Sequence, residues 1–217
     1  MTEQPSYTPE DLPGRVAALL AAAPDRRVVV GVAGPPGSGK STLVAGLTAA
    51  LQAAGTAAVC VPMDGFHLAG AELVRLDRQD RKGAPDTFDA AGYAHLLRRL
   101  AAPGARAETV YAPTFDRDLE EAVAGAIAVA PEVGVVVTEG NYLLLDDGPW
   151  VQVRSSLTET WYLDVPDAVR VRRLVARHEG HGRTPDRARA WTLGPDQVNA
   201  DLVAATRTRA DGVVHGR

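Results

Sequence analysis

Cysteine is almost missing from this chain. Cys60 is the only one, so no internal disulfide can form, and a reducing compartment is the expectation. Lysine is nearly as scarce: Lys40 and Lys82 are the only two among 23 lysines and arginines. In so arginine-rich a chain, a surviving lysine suggests a place that arginine cannot fill, and Lys82 becomes a suspect beside Lys40. A basic surplus is absent too. The formal net charge is −4, which argues against a general nucleic-acid binder, and no nucleic-acid partner is expected. No apolar run is long enough to span a bilayer, and residues 1–13 lack the charged-then-apolar pattern of an export signal. No membrane partner is expected, and the reading is cytoplasmic. Aromatics are few, at 5%. Even so, 46% hydrophobic and 23% charged residues over 217 positions suffice for one packed domain, or one domain with a small lid.

What is present centres on Gly34-Pro35-Pro36-Gly37-Ser38-Gly39-Lys40-Ser41. An apolar run, residues 28–33, precedes it and reads as a buried strand. Residues 42–51 follow it and read as a helix. The pattern G-x-x-x-x-G-K-S between strand and helix is the phosphate loop. Its glycines let backbone N–H groups turn inward into an anion nest, and the helix aims its positive end at the same point. Lys40 adds a mobile charge for β- and γ-phosphates, and the Ser41 hydroxyl is a magnesium ligand. Thr42 completes the loop at the helix start.

The remaining chain alternates strands and helices. A loose lead at 1–13 and a short helix at 15–23 come first. Strands are expected at 57–63, 109–113, 126–130, 133–138, 158–163 and 212–215. Helices are expected at 90–100, 167–179 (capped by Asp167), 186–193 and 197–209. This order predicts a three-layer α/β fold with a parallel central sheet and a small helical lid. The expectation is one domain over 1–217, with a lid around 173–190 and an acceptor-binding insertion around 65–125.

Asp64 ends the strand at 57–63, which is expected beside the phosphate loop, at the sheet edge where ligands of parallel α/β proteins bind. A carboxylate there can take the proton of an acceptor hydroxyl or bind magnesium; Asp-Gly is also a strong turn pair. Glu139 follows aliphatic residues as a Walker B acid would, and could hold magnesium through water or orient Lys40. Arg173 and Arg177 are four apart on one helix, and Arg183 sits in the Gly-rich break after it. Planar cations on a lid suit the charge of a transferring phosphoryl group. His67, Arg81, Lys82, Tyr111, Phe115, Asp116 and Arg117 are candidate acceptor-site residues, although Phe115 could equally be core. His67 has no partner at metal-ligand spacing. Cys60 reads as a small buried hydrophobe.

The segments GPPGSGKST, MDGFH, RKGAPDTFD, YAPTFDR, VTEGNYLLL, RVRRLVARHEGHGR and NADLVAATRTRADGVV fall in one order. Together they resemble the uridine kinase, pantothenate kinase and phosphoribulokinase superfamily of P-loop kinases. The nearest likeness is to its bacterial nucleoside/nucleotide kinase group, some members of which are labelled fructose-transport kinases. Uridine kinases usually carry Asp-Ser-Phe-Tyr where this chain has Asp64-Gly65-Phe66-His67. The resemblance implies Asp64 as the base and Arg173 or Arg177 in the lid. It also implies Asn199, Thr206 and Arg207 near the nucleotide base. Glu139 and Asn141, at the end of the strand at 133–138, are further candidate acceptor-site residues. The expected cofactors are ATP and Mg2+. The expected activity is phosphoryl transfer from ATP to a hydroxyl of a nucleoside-, pantothenate- or sugar-like metabolite. Related kinases often dimerise, so a homodimer is compatible. The alternative class is an ATPase switch or nucleotide-binding regulatory protein. A guanine-specific switch is disfavoured, because neither lysine stands in Asn-Lys-x-Asp.

Overall fold

A computed structural model describes residues 4–216. In chain order the strands are β1 (Ser6–Tyr7), β2 (Val28–Ala33), β3 (Ala58–Cys60), β4 (Val110–Asp116), β5 (Glu121–Val129), β6 (Val135–Gly140), β7 (Glu159–Asp164) and β8 (Gly212–His215). The α-helices are α1 (Leu12–Ala22), α2 (Lys40–Ala53), α3 (Gly70–Arg75), α4 (Ala90–Ala101), α5 (Trp150–Ser155), α6 (Asp167–Gly180), α7 (Pro185–Leu193) and α8 (Pro195–Ala204). Six strands form a parallel sheet in the order β1-β8-β7-β2-β6-β3. Its central strand β2 is apolar and buried throughout, because both faces are covered. On β2, Val29 and Ala33 pack into one core with Tyr93, Leu97 and Trp150. Val28, Val30 and Val32 pack into the other, with Val16, Val44 and Leu47. The alternation of side chains along a strand thus divides one run between two layers.

Several expectations change. The lead at 1–13 is not loose over its described part: β1 pairs parallel with β8, and α1 begins at Leu12 with Pro13 in its first turn, where a missing N–H costs nothing. Met1 to Glu3 lie outside the described residues. Asp167 does not cap α6. Pro166 holds the cap position, and the Asp167 carboxylate accepts from Arg170 Nε at 2.6 Å instead. The strand leading to Asp64 is not beside the phosphate-loop strand. It is the outer strand β3, with β6 between it and β2. Finally, β4 and β5 pair antiparallel in a ribbon outside the main sheet, with a register shift between Ala112 and Thr114. Pro113, which has no N–H to give a ladder, lies in that shift.

Arg27, just before β2, is buried and donates to four backbone carbonyls: Val133 at 3.0 Å, Ala130 at 3.2 Å, Ala105 at 3.3 Å and Leu100 at 3.4 Å. A guanidinium can be buried only when its donors are filled, and here it ties α4 and the loops below it to the sheet. Among the described residues, no helix is long and apolar enough to cross a membrane.

Candidate active site

The loop between β2 and α2 turns through Gly37 (φ 78°) and Gly39 (φ 95°). Both lie in the left-handed region that only glycine enters cheaply. At Gly37 a Cβ would also stand 2.7 Å from the Arg170 carbonyl oxygen and from Leu174 Cγ. The loop therefore rests directly on α6. Lys40 is buried at the start of α2. Its Nζ donates to the Pro35 carbonyl at 3.1 Å and to Asn141 Oδ1 at 2.8 Å. Ser41 Oγ donates to Glu139 Oε1 at 2.8 Å. Glu139 comes from β6, the neighbour of β2, so sheet pairing alone sets this acid against the loop.

Asp64 reaches the same place by a different route. After β3 the chain enters a 3-10 turn, Met63–Phe66, that lies on β6. A Cβ on Gly140 would stand 2.5 Å from Met63 Cβ, so the missing side chain lets the turn sit down. Gly65 has the same logic on its other side: a Cβ there would stand 2.6 Å from the Pro113 carbonyl oxygen. This close approach of β4 accounts for glycine where uridine kinases usually place serine. Lys40 and Glu139 both feel the Asp64 carboxylate, which opposes the fall at Lys40 and adds to the rise at Glu139, and Arg117 Nη2 lies 3.8 Å from Asp64 Oδ2. His67 stacks between Phe88 and Phe115, with ring centroids 4.0 and 4.9 Å away, and its Nδ1 is 2.8 Å from the Asp64 carbonyl oxygen. A carbonyl can only accept, so Nδ1 carries the proton.

These groups line one cleft of about 630 Å³. From the phosphate loop it takes Pro36, Gly37, Lys40 and Ser41. Asp64, His67, Lys82, Phe115, Arg117, Glu139 and Asn141 face the same space, as do Arg177, Arg183 and Asn199. Burial pushes the Glu139 carboxyl up and the Lys40 ammonium down, and each group opposes the other's shift. Burial also holds His67 below its ordinary value. It pushes the Cys60 thiol up to about 12, so this cysteine is not a thiolate nucleophile at neutral pH.

Other candidates lie elsewhere. Arg173 and Arg177 part company: Arg173 Nη1 donates to the Ser38 carbonyl at 3.0 Å and edges a second, largely apolar cavity of about 600 Å³ with Ser38, Gly39, Thr42 and Leu163. Pro9, Pro13 and Gly216 close that cavity from the two ends of the chain. Gly34 and Pro35 line neither cavity. Arg81 pairs with Asp86 at 2.7 Å. Tyr111 is exposed on the ribbon. Asp116 accepts from the backbone of Asp118 and Leu119, at 2.9 and 3.0 Å, and so shapes the ribbon turn. Thr206 is buried and donates to the Val203 carbonyl at 2.7 Å. Arg207 pairs with Asp164 at 3.1 Å. Asn199 Nδ2 is 3.5 Å from the Gly83 carbonyl, on the 68–90 segment.

Sequence reasoning passed over Glu120, Trp191, His178 and Asp196, which also line the cleft. Arg183 stacks on Trp191, with its guanidinium carbon 4.1 Å from the ring centroid. His178 Nε2 and Asp196 Oδ2 are 2.7 Å apart. Only Glu120 carried a signal, its nearness in sequence to Arg117.

No family model matches the chain. Comparison with curated proteins and solved structures is more informative. A candidate uridine kinase, C227.14 of Schizosaccharomyces pombe, is 36% identical over 197 residues, covering 87% of this chain and 83% of its own. This chain belongs to the P-loop kinases of the uridine kinase and pantothenate kinase superfamily. The kinase is also 35% identical over 161 residues to the ATP-dependent kinase-like protein notR' of Aspergillus versicolor, covering 71% of this chain and 94% of that one. The crystal structure of a candidate fructose transport system kinase from Silicibacter sp. TM1040 superimposes with a TM-score of 0.87 at 40% identity. That match covers 97% of this kinase and 100% of the other chain. The protein is thus an ATP-dependent phosphotransferase, with the three-layer α/β P-loop fold.

Proposed function

We propose that this kinase transfers the γ-phosphoryl group of MgATP to a hydroxyl of a small nucleoside-, pantothenate- or sugar-like metabolite, within one domain. Residues around 173–190 act as its lid, and 65–125 form its acceptor side. The observation that carries the reading is that Asp64 and the Lys40 phosphate loop line one cleft. In it, the β- and γ-phosphates lie in the glycine nest, and Lys40 leaves Asn141 to meet them. The acceptor oxygen attacks the γ-phosphorus. The bond from that phosphorus to the bridging oxygen breaks, and its electrons leave with ADP. The acceptor proton passes to Asp64 and then to water. Arg177 and Arg183, on the lid side of the cleft, neutralise charge spreading over the phosphoryl oxygens. The apolar cavity edged by Arg173 takes the nucleotide base.

Magnesium fits the oxygen donors at this corner, the Ser41 hydroxyl and the Glu139 carboxylate, with Asp64 across the cleft. Among the described residues no group of three or more His, Cys, Asp and Glu could cage a metal, which suits an ion held mainly by water and substrate phosphates. When bound, it would supply positive charge that offsets the negative charge of the phosphates. The test is a coupled ADP-release screen over nucleosides, pantothenate, and keto- and aldo-sugars. Stimulation by one acceptor class supports the reading. ATP hydrolysis indifferent to every acceptor would move the protein to the regulatory ATPases.

A further inference from the structure

Two cations of the cleft, Lys82 and Arg117, have no role in the proposed handling of ATP. Both are tied to the turn between β4 and β5. Lys82 Nζ donates to the Glu120 carbonyl at 2.8 Å, lies 3.4 Å from the Glu120 carboxylate and sits 5.0 Å from the Phe115 ring centroid. Arg117 belongs to the turn itself. Its closest acidic partner is Asp64 at 3.8 Å, beyond hydrogen-bond length. Among the described residues its guanidinium makes no hydrogen bond. Phe115 touches His67, and His67 bonds the Asp64 backbone. The two cations therefore flank the proposed base in one contiguous cluster. Both lysines of the chain, Lys40 and Lys82, line this same cleft.

A neutral acceptor would leave this arrangement poorly matched. Arg117 is about half exposed, and with a hydroxyl on Asp64 a neutral acceptor would still offer its guanidinium fork nothing to bond. An anion on the acceptor supplies what is missing. A guanidinium fork receives carboxylate or phosphate oxygens in pairs, and a lysine adds a compact second charge from the side. We propose that the acceptor is an anionic hydroxylated metabolite, whose carboxylate or phosphate-ester group is received by Lys82 and Arg117 while its hydroxyl faces Asp64. This rests on the kinase reading above and narrows its acceptor class.

The experiment is steady-state ADP release with matched sets: glycerol, D-glycerate and glycerol 3-phosphate; ribose, ribonate and ribose 5-phosphate; panthenol and pantothenate; and uridine as a neutral nucleoside. The expected result is an anionic member that exceeds its neutral counterpart in kcat/KM by roughly tenfold or more, a ratio set by charge-assisted hydrogen bonds. Lys82→Met and Arg117→Gln should each lower the anionic-to-neutral ratio of kcat/KM by about tenfold, through a raised KM for the anionic member. The carboxylate and phosphate arms tell the two anion sources apart. Equal or better turnover of the neutral members, or equal losses on both, overturns the proposal and leaves the kinase reading standing. Where no member turns over, the MgADP complex is titrated with the same anions by calorimetry. Saturable binding that Lys82→Met abolishes supports the proposal, and its absence overturns it. Failure of the protein to bind MgATP at all would instead be a failure of the kinase reading.

Discussion

Lys40 offers a prediction that the geometry sizes directly. In the ligand-free cleft its buried ammonium is held by the Pro35 carbonyl and by Asn141 Oδ1. Asn141→Leu keeps the side-chain volume and removes the shorter of the two acceptors. A hydrogen bond to a charged group contributes about 1.5–3 kcal/mol. For a chain of 217 residues, that is a fall in Tm of roughly 3–12 °C. A nucleotide's phosphate oxygens replace the lost acceptor, so the deficit should shrink when a non-hydrolysable MgATP analogue saturates the protein. By linkage, the variant should bind that analogue more tightly, by about ten- to a hundredfold. Scanning calorimetry with and without the analogue measures the first effect, and isothermal titration the second. An unchanged Tm, or an equal loss with the analogue bound, would refute the idea that Asn141 parks Lys40.

Three further outcomes are expected. Gly37→Ala places a Cβ against the Arg170 carbonyl at positive φ. It should cost about 1–3 kcal/mol in urea unfolding and weaken MgATP binding, because the loop must leave α6. Burial keeps His67 below its ordinary pKa, so below about pH 6.5 the unfolded chain takes a proton that the native state refuses. Stability therefore falls with pH there, and His67→Phe should escape that loss; its advantage over wild type should grow by up to about 1.4 kcal/mol per pH unit, read from urea midpoints at pH 7, 6 and 5. Trp191→Leu removes the plate under Arg183; kcat should drop about tenfold, with acceptor KM nearly unchanged and Trp191→Phe restoring most of the rate.

The phosphate loop was legible because its residues are contiguous and its chemistry is done by backbone. The motif at Asp64 was equally visible, but its path to the cleft was not. Strand order depends on which strands pair, and only Gly140 and Gly65, read as packing glycines, hint that the turn folds back over β6 and under β4. Arg173 and Arg177 share a helix face by spacing, yet one turn of rise separates a loop-bracing contact from a place in the cleft. Two-residue β1 is too short to show a period. Trp191 and Asp196 reach the cleft through the packing of α6, α7 and α8, a tertiary fact with no local signature. The register shift at Pro113 likewise follows from ribbon pairing rather than from strand propensity.

The most direct measurement is Asp64→Asn, assayed for MgATP affinity by isothermal titration and for acceptor-dependent ADP release. If a carboxylate at this position takes the acceptor proton across from the phosphate loop, affinity should stay within a few-fold while turnover drops by about a hundredfold or more. Retained turnover, or MgATP binding lost together with activity, would contradict it.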